Sequence, residues 1–307
     1  MDEAPGTPQG PQSQGPHGAP ELPVCYRHPD RETGIRCARC ERPICPQCMV
    51  DAAVGFQCPQ CVSSGSGTGH SPAANRPRTL AGGTITADPR LLTKLLIGVN
   101  LAVFLVQLSV GDRFTERFEL FGRAASYWQH GEIVGVAQGE WYRLLTAMFL
   151  HDPQSYFHIL FNMLSLWWVG APLEAALGRA RYLALYFTAG LAGSALTYLV
   201  VAPNQPSLGA SGAIYGLFGA TAVLMRRLNY DMRPVLALLA VNLIITFSPG
   251  FHISWQAHVG GLVGGVVVGY AMVHAPRERR TLVQYGTCAV VLAAVIVMTL
   301  VRTAQLT

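Results

Sequence analysis

The sequence predicts an all-α polytopic membrane protein with a small cysteine-rich module at its amino end. Three observations lead there. Half of the 307 residues are apolar and only 13% are charged, against about 25% charged in an ordinary soluble domain. From Leu91 onward the chain runs through seven long apolar segments. Seven of the eight cysteines fall between Cys25 and Cys61, and Cys288 stands alone in a late apolar run. The net charge of +5 does not point to nucleic acid, because the arginines lie between apolar runs rather than on one face.

Residues 1–22 are rich in Pro, Gly and Gln, lack apolar periodicity and read as a disordered tail. They hold no apolar core for a secretory signal, so the amino end is expected in the cytoplasm. Thiols stay reduced there, which makes metal binding a better reading of residues 23–62 than disulfides. The ligand order is Cys25-x2-His28, Cys37-x2-Cys40, Cys45-x2-Cys48 and Cys58-x2-Cys61. Eight such ligands suffice for two tetrahedral zinc ions. The short spacer between Cys40 and Cys45 favours an interleaved arrangement. Cys25, His28, Cys45 and Cys48 would share one ion, and Cys37, Cys40, Cys58 and Cys61 the other. A redox dithiol pair is the competing reading. Closed four-ligand sites are structural, so no metal chemistry is expected. Residues 63–90, with Ser-Gly repeats, Pro72, Pro77 and Gly82-Gly83, read as a flexible linker.

A helix of about 20 residues crosses the hydrocarbon of a bilayer. Spans are placed at 91–110, 155–171, 181–201, 210–226, 233–248, 256–274 and 281–301, the fourth and fifth being short. The long connection 111–154 carries Phe114, Phe118, Phe121, Tyr127, Trp128, Trp141 and Tyr142. Such aromatics favour the membrane–water interface. Arg179 and Arg181, then Arg226, Arg227 and Arg233, then Arg277, Arg279 and Arg280 follow alternate spans, whereas connections 202–208 and 249–255 hold no Lys or Arg. The positive-inside rule puts the basic connections and the amino terminus in the cytoplasm. Seven spans then leave the carboxyl terminus outside.

Hydroxyls and imidazoles at membrane depth usually mark a working site. Ser211 opens the fourth span within Gly209-Ala210-Ser211-Gly212, and His258 lies early in the sixth within Ala257-His258-Val259-Gly260-Gly261. Both fall towards the outer side. The competing reading of Gly209, Gly212, Gly216 and Gly219 is close helix packing through small residues. Gly261, one turn from His258, would let the backbone approach another helix beside the ring. In the second span His158 and Asn162 are four apart and share a face. They suit a developing oxyanion, or else an interhelical hydrogen-bond pair. Asn100 and Asn242 fit the interhelical reading better. The spans contain no His-Glu-x-x-His cluster, which argues against an intramembrane metalloprotease.

Taken together, Gly209-Ala210-Ser211-Gly212, His258 in Ala-His-Val-Gly-Gly and His158-x-x-x-Asn162 resemble the rhomboid intramembrane serine proteases. Tyr215, four after Ser211, matches the ring that the family stacks on its histidine. Trp141-Tyr142-Arg143 resembles the family's Trp-Arg motif, with Tyr142 where Trp is more usual. Leu173-Glu174 with Leu177-Gly178 resembles its turn after the second span, where Glu174 is expected to cap or pair. The resemblance implies a rhomboid-like six-helix core over 91–275, with a seventh transmembrane helix in 276–307. It also implies a Ser211–His258 dyad, an oxyanion site from the Ser211 N–H, His158 and Asn162, and supporting roles for Tyr215, Gly209, Gly212 and Gly261. Transmembrane proteins would be the substrates, in a multi-pass protein surrounded by lipid of the plasma membrane. The segment 248–255 would be a lid over a hydrated cavity. The cysteine module resembles a B-box-type zinc finger suited to a cytoplasmic protein partner. The alternative is an inactive rhomboid-like scaffold that binds membrane clients.

Overall fold

The computed structural model describes residues 22–52, 54–64, 78–247 and 254–307. The expected tail, the middle of the expected linker at 65–77 and most of the expected lid at 248–253 lie outside the described residues. The chain divides into two compact units, Met1–Arg76 and Pro77–Thr307.

The first unit buries Cys25, Cys37, Cys45, Cys48 and Cys58 around Ile44. Its regular structure is slight. Strands Val50–Asp51 and Phe56–Gln57 pair antiparallel, with Val50 opposite Gln57, and a short helix runs over Pro59–Ser63. A module of about 40 residues buries too little apolar surface to fold without a staple. Its interior is made mostly of cysteine side chains instead.

In the second unit seven apolar helices follow one another among the described residues. They are α1 Leu91–Val110, α2 Tyr156–Leu177, α3 Arg179–Val200, α4 Ser211–Arg227, α5 Arg233–Phe247, α6 Trp255–His274 and α7 Arg280–Leu306. Five are long and apolar enough to cross a membrane, while α4 has 17 residues and α5 has 15. Large apolar side chains are exposed along α1 (Leu95, Leu105) and α7 (Leu282, Val290, Val297). Apolar faces of that extent belong against lipid, as expected of an integral membrane protein. Within α2 a π-helical turn at Leu166–Gly170 precedes Pro172. Proline has no N–H for the carbonyl one turn back, and the wider turn absorbs the mismatch.

Helix α6 is the centre of the bundle and packs against both α3 and α4. Small residues permit it: a Cβ on Gly261 would overlap the carbonyl oxygen of Gly212, and one on Gly265 the carbonyl oxygen of Gly216. Such backbone-to-backbone seams gain dispersion contacts that larger side chains would block.

Glu174 joins the first two spans. Its carboxylate accepts the Leu92 N–H at 3.0 Å, the Thr93 N–H at 2.8 Å and the Thr93 hydroxyl at 2.9 Å. These are first-turn donors of α1 that no helical carbonyl can reach. Glu174 is therefore a cap, supplied by a neighbouring helix.

Residues 78–90 depart from the expected linker. Thr79–Gly83 closes a turn through Thr79 N–H to the Gly83 carbonyl at 2.9 Å and Gly83 N–H to Thr79 Oγ1 at 2.8 Å. Ala81 is buried, and its carbonyl accepts from Gln284 Nε2 of α7 at 3.0 Å. Composition suggested flexibility because Gly and polar residues dominate. Here the turn satisfies its own backbone, so it can be buried. Asn100 and Asn242 each donate to the carbonyl four residues back in their own helix, Leu96 and Leu238, and Asn100 also lies beside the Tyr186 hydroxyl of α3, as the interhelical reading expects.

The connection between α1 and α2 holds a helix at Asp112–Phe118, and its Leu120 pairs with Ser207. Arg143, fully buried, ties it together. Its Nε donates to Glu140 at 2.7 Å, and its guanidinium donates to the carbonyls of Glu116 and Glu119. Burial pushes the Glu119 carboxyl up to about 7, against the pull of Arg143 and with Glu116 and Asp112 adding to the push.

Two outcomes follow from these contacts. Glu174→Ala should lower stability by about 1–3 kcal/mol, because buried donors lose their acceptor; thermal unfolding in detergent measures it, and Glu174→Gln should recover part. Glu119 has a folded pKa raised from 4.5 to about 7, so the folded state binds more protons between those values and stability falls as pH rises through them. Glu119→Gln should flatten that fall in melts taken from pH 4 to 8.

Candidate active site and metal centres

Ser211 is the first residue of α4, and the chain reaches it through Gly209 at φ 132°, a conformation that glycine adopts freely. The Gly209 N–H donates to the Ala147 carbonyl at 2.9 Å, which fixes this entry against the α1–α2 connection. As the opening residue of a helix, Ser211 has a backbone N–H with no partner one turn back, at the positive end of the helix dipole.

His258 lies in the first turn of α6, and the Gly261–Gly212 approach one turn further on draws the two helices together. Its Nε2 lies 2.8 Å from Ser211 Oγ. Tyr215 follows Ser211 by one turn, and its ring stacks on the imidazole with centroids 4.0 Å apart and planes 10° from parallel. On the far side, His258 Nδ1 lies 2.9 Å from Thr246 Oγ1 of α5.

His158 and Asn162 share one face of α2, as their spacing requires. A Cβ on Gly209 would sit 3.0 Å from His158 Nε2 and 3.5 Å from Ser211 Oγ, so that nitrogen flanks the serine. The Asp152 N–H donates to His158 Nδ1 at 3.2 Å. A nitrogen that accepts is unprotonated, so the proton of neutral His158 sits on Nε2, facing the serine side. Asn162 Nδ2 donates one hydrogen to the His158 carbonyl at 2.8 Å and keeps a second.

A short relay holds this arrangement. Gln107, buried in α1, accepts the His151 N–H and donates to the His151 carbonyl, each at 2.9 Å. That pins the backbone next to Asp152. The His151 ring is buried beside His158 with centroids 5.1 Å apart, and burial, helped by His158, pushes it down to about 3. Sequence reasoning missed Gln107, His151 and Thr246. Gln107 and Thr246 were visible as polar residues within apolar spans; their partners were not. A cavity of about 400 Å³ opens among Val110, Arg113, Glu116 and Trp128 in the α1–α2 connection, away from Ser211 and His258.

In the first unit the donor atoms of Cys25, His28, Cys45 and Cys48 lie within 4.8 Å of one another, as do those of Cys37, Cys40, Cys58 and Cys61. Either group of four could hold a metal ion. His28 Nδ1 is 3.9, 3.3 and 3.4 Å from the sulfurs of Cys25, Cys45 and Cys48, and Cys40 Sγ is 3.8 Å from Cys58 Sγ. A tetrahedral ion with bonds of about 2.0–2.3 Å needs such edges of roughly 3.6–3.8 Å. The residues fit. Burial opposes ionisation of Cys25 and Cys37, yet backbone N–H donors outweigh it and bring both down to about 6. Burial and neighbouring thiols push Cys48 up to about 11 and Cys61 to about 12.

The chain is similar in sequence to a known family and its members. Residues 138–275 fit the family model of the Rhomboid domain. The putative rhomboid protease YdcA of Bacillus subtilis is 36% identical over 155 residues, covering 49% of this chain and 76% of that protein. The chain belongs to the rhomboid family. Rhomboid protease GluP of B. subtilis is 36% identical over 185 residues, 59% of this chain. The match spans only 34% of GluP. Rhomboid protease AarA of Providencia stuartii is 28% identical over 236 residues, covering 66% of this chain and 79% of AarA. The rhomboid domain includes Ser211, His258, His158 and Asn162, and the cysteine clusters lie ahead of it in a module compatible with a zinc finger.

Proposed function

We propose that this rhomboid is an intramembrane serine endopeptidase that cleaves transmembrane segments of membrane proteins by a Ser211–His258 dyad. The 2.8 Å contact of Ser211 Oγ with His258 Nε2 carries the reading. A hydroxyl is a weak nucleophile until a base takes its proton. His258 Nε2 accepts that proton as Ser211 Oγ attacks the scissile carbonyl, and later gives it to the leaving amine. Water then attacks the acyl-enzyme, with His258 again the base. Tyr215 holds the imidazole flat and limits its rotation.

Negative charge forms on the carbonyl oxygen in the tetrahedral intermediate. The Ser211 N–H at the start of α4, the Nε2–H of His158 and the second Nδ2–H of Asn162 are the donors for it. The Asp152 contact orients His158, the His158 carbonyl holds Asn162, and the Gly209–Ala147 bond sets the entry to Ser211; preorganised donors contribute most to such chemistry. A membrane helix hides its peptide bonds in its own hydrogen bonds. Substrates therefore unwind locally to expose the scissile bond, and helix-breaking residues lower that cost.

The basic connections support a reading with the amino terminus in the cytoplasm and Ser211 towards the outer side of the membrane, proposed to be the plasma membrane. In the cysteine module two zinc ions, one in each group of four ligands, would supply structural cross-links and no step of the hydrolysis. Those ligands leave the rest of the module free to meet a cytoplasmic protein.

Ser211→Ala and His258→Ala should each reduce cleavage of a reporter transmembrane segment to background while expression is unchanged. A serine-directed fluorophosphonate should label the wild type and not Ser211→Ala. Full cleavage by either variant removes the dyad. His158→Ala should lower kcat by about 10²–10³, the size of effect of one oxyanion donor. Elemental analysis of the purified chain should find two zinc per molecule, and chelation should unfold the module yet leave cleavage intact. Loss of cleavage on chelation would tie the metal to the membrane unit instead.

A further inference from the structure

We infer that Thr246 of α5 is a positioning residue for the hydrolysis, the third member of the Ser211–His258 arrangement in place of a carboxylate. The inference rests on the proposed dyad and extends it to a residue no part of that reading used. Its basis is a complete accounting of one hydroxyl. A threonine hydroxyl has one hydrogen to give and two lone pairs. Thr246 Oγ1 donates to the Asn242 carbonyl, 2.7 Å away and one turn back in α5. Its hydrogen is thereby used. The two remaining contacts are His258 Nδ1 at 2.9 Å and Tyr215 OH at 3.2 Å. Thr246 must accept both, one on each lone pair.

That fixes the tautomer of His258. Nδ1 can meet Thr246 only as a donor, so Nδ1 carries the hydrogen of the neutral ring. Nε2 is then bare, and it is the nitrogen 2.8 Å from Ser211 Oγ. The serine hydroxyl donates to it, which is the ground state a general base requires. The opposite tautomer would place a hydrogen between Nε2 and Oγ and leave Nδ1 facing a hydroxyl with nothing to give. Thr246 is buried, so water does not readily replace it. The Tyr215 hydroxyl bonds to the same oxygen, which ties the stacking ring and the imidazole to one point on α5.

Compare the wild type with Thr246→Val, Thr246→Ala and Thr246→Ser, measuring kcat and KM for a reporter segment and the rate of inactivation by a small fluorophosphonate. Thr246→Val removes the acceptor at nearly constant volume; Thr246→Ala covers the case in which valine disturbs packing. Both should lose on the order of 10- to 100-fold in kcat and in inactivation rate with KM within about twofold, below the full 10²–10⁴ of a general base. Thr246→Ser keeps the oxygen and should recover to within about threefold. Wild-type inactivation in Thr246→Val and Thr246→Ala, or a loss in Thr246→Ser equal to theirs, overturns the role. If Ser211→Ala still reacts, the dyad itself has failed; if Ser211→Ala is dead and the Thr246 variants are unaffected, only the positioning role has.

Discussion

The near-contact of two backbones, Gly212 on α4 and Gly261 on α6, is the constraint on which the membrane unit depends. Side chains of ordinary size would hold the helices several ångströms apart, and a hydrogen bond between groups on them fails over far less. Ser211 precedes Gly212 by one residue, and His258 precedes Gly261 by one turn. The seam thus sets the separation of Oγ and Nε2 directly. Lipid offers no hydrophobic drive for helices to associate, so this closeness comes from dispersion and from the small-residue faces.

Around that seam the polar groups form a graded support. Ser211 and His258 meet each other; Thr246 touches His258, His158 flanks Ser211, and Asn162 donates to the His158 carbonyl. Asp152 and Asn242 hold His158 and Thr246 through backbone groups, and Gln107 pins the His151 backbone beside Asp152. The members are spread over α1, α2, α4, α5, α6 and the connection between α1 and α2. Each hydrogen bond among them is electrostatically stronger in a low-dielectric interior than it would be in water. Arg143 plays the matching part outside the bundle, fastening the connection whose Ala147 carbonyl meets Gly209.

The seven helices were legible because lipid forces long apolar runs and internal backbone pairing on any spanning segment. The approach of Ser211 to His258 and the shared face of His158 and Asn162 were legible because such residue types are rare at membrane depth. The interleaved cysteine grouping could be read from one short spacer between Cys40 and Cys45. Three features were not legible. The docking of residues 78–90 depends on Gln284, about 200 residues away, and composition carries no such information. The part of Thr246 depends on which neighbour takes its hydrogen. Asn242 bonds within its own helix because a carbonyl one turn back is always at hand, whereas a partner on another helix must be supplied.

The capping of α1 by Glu174 also bears on how the chain is assembled. The carboxylate that completes the first spanning segment comes 82 residues later in synthesis. Until it arrives, the leading turn of that segment must keep its amide hydrogens solvated at the headgroup level. That segment is thus left with unpaired first-turn donors on its own. Its leading turn is completed only when Glu174 is in place.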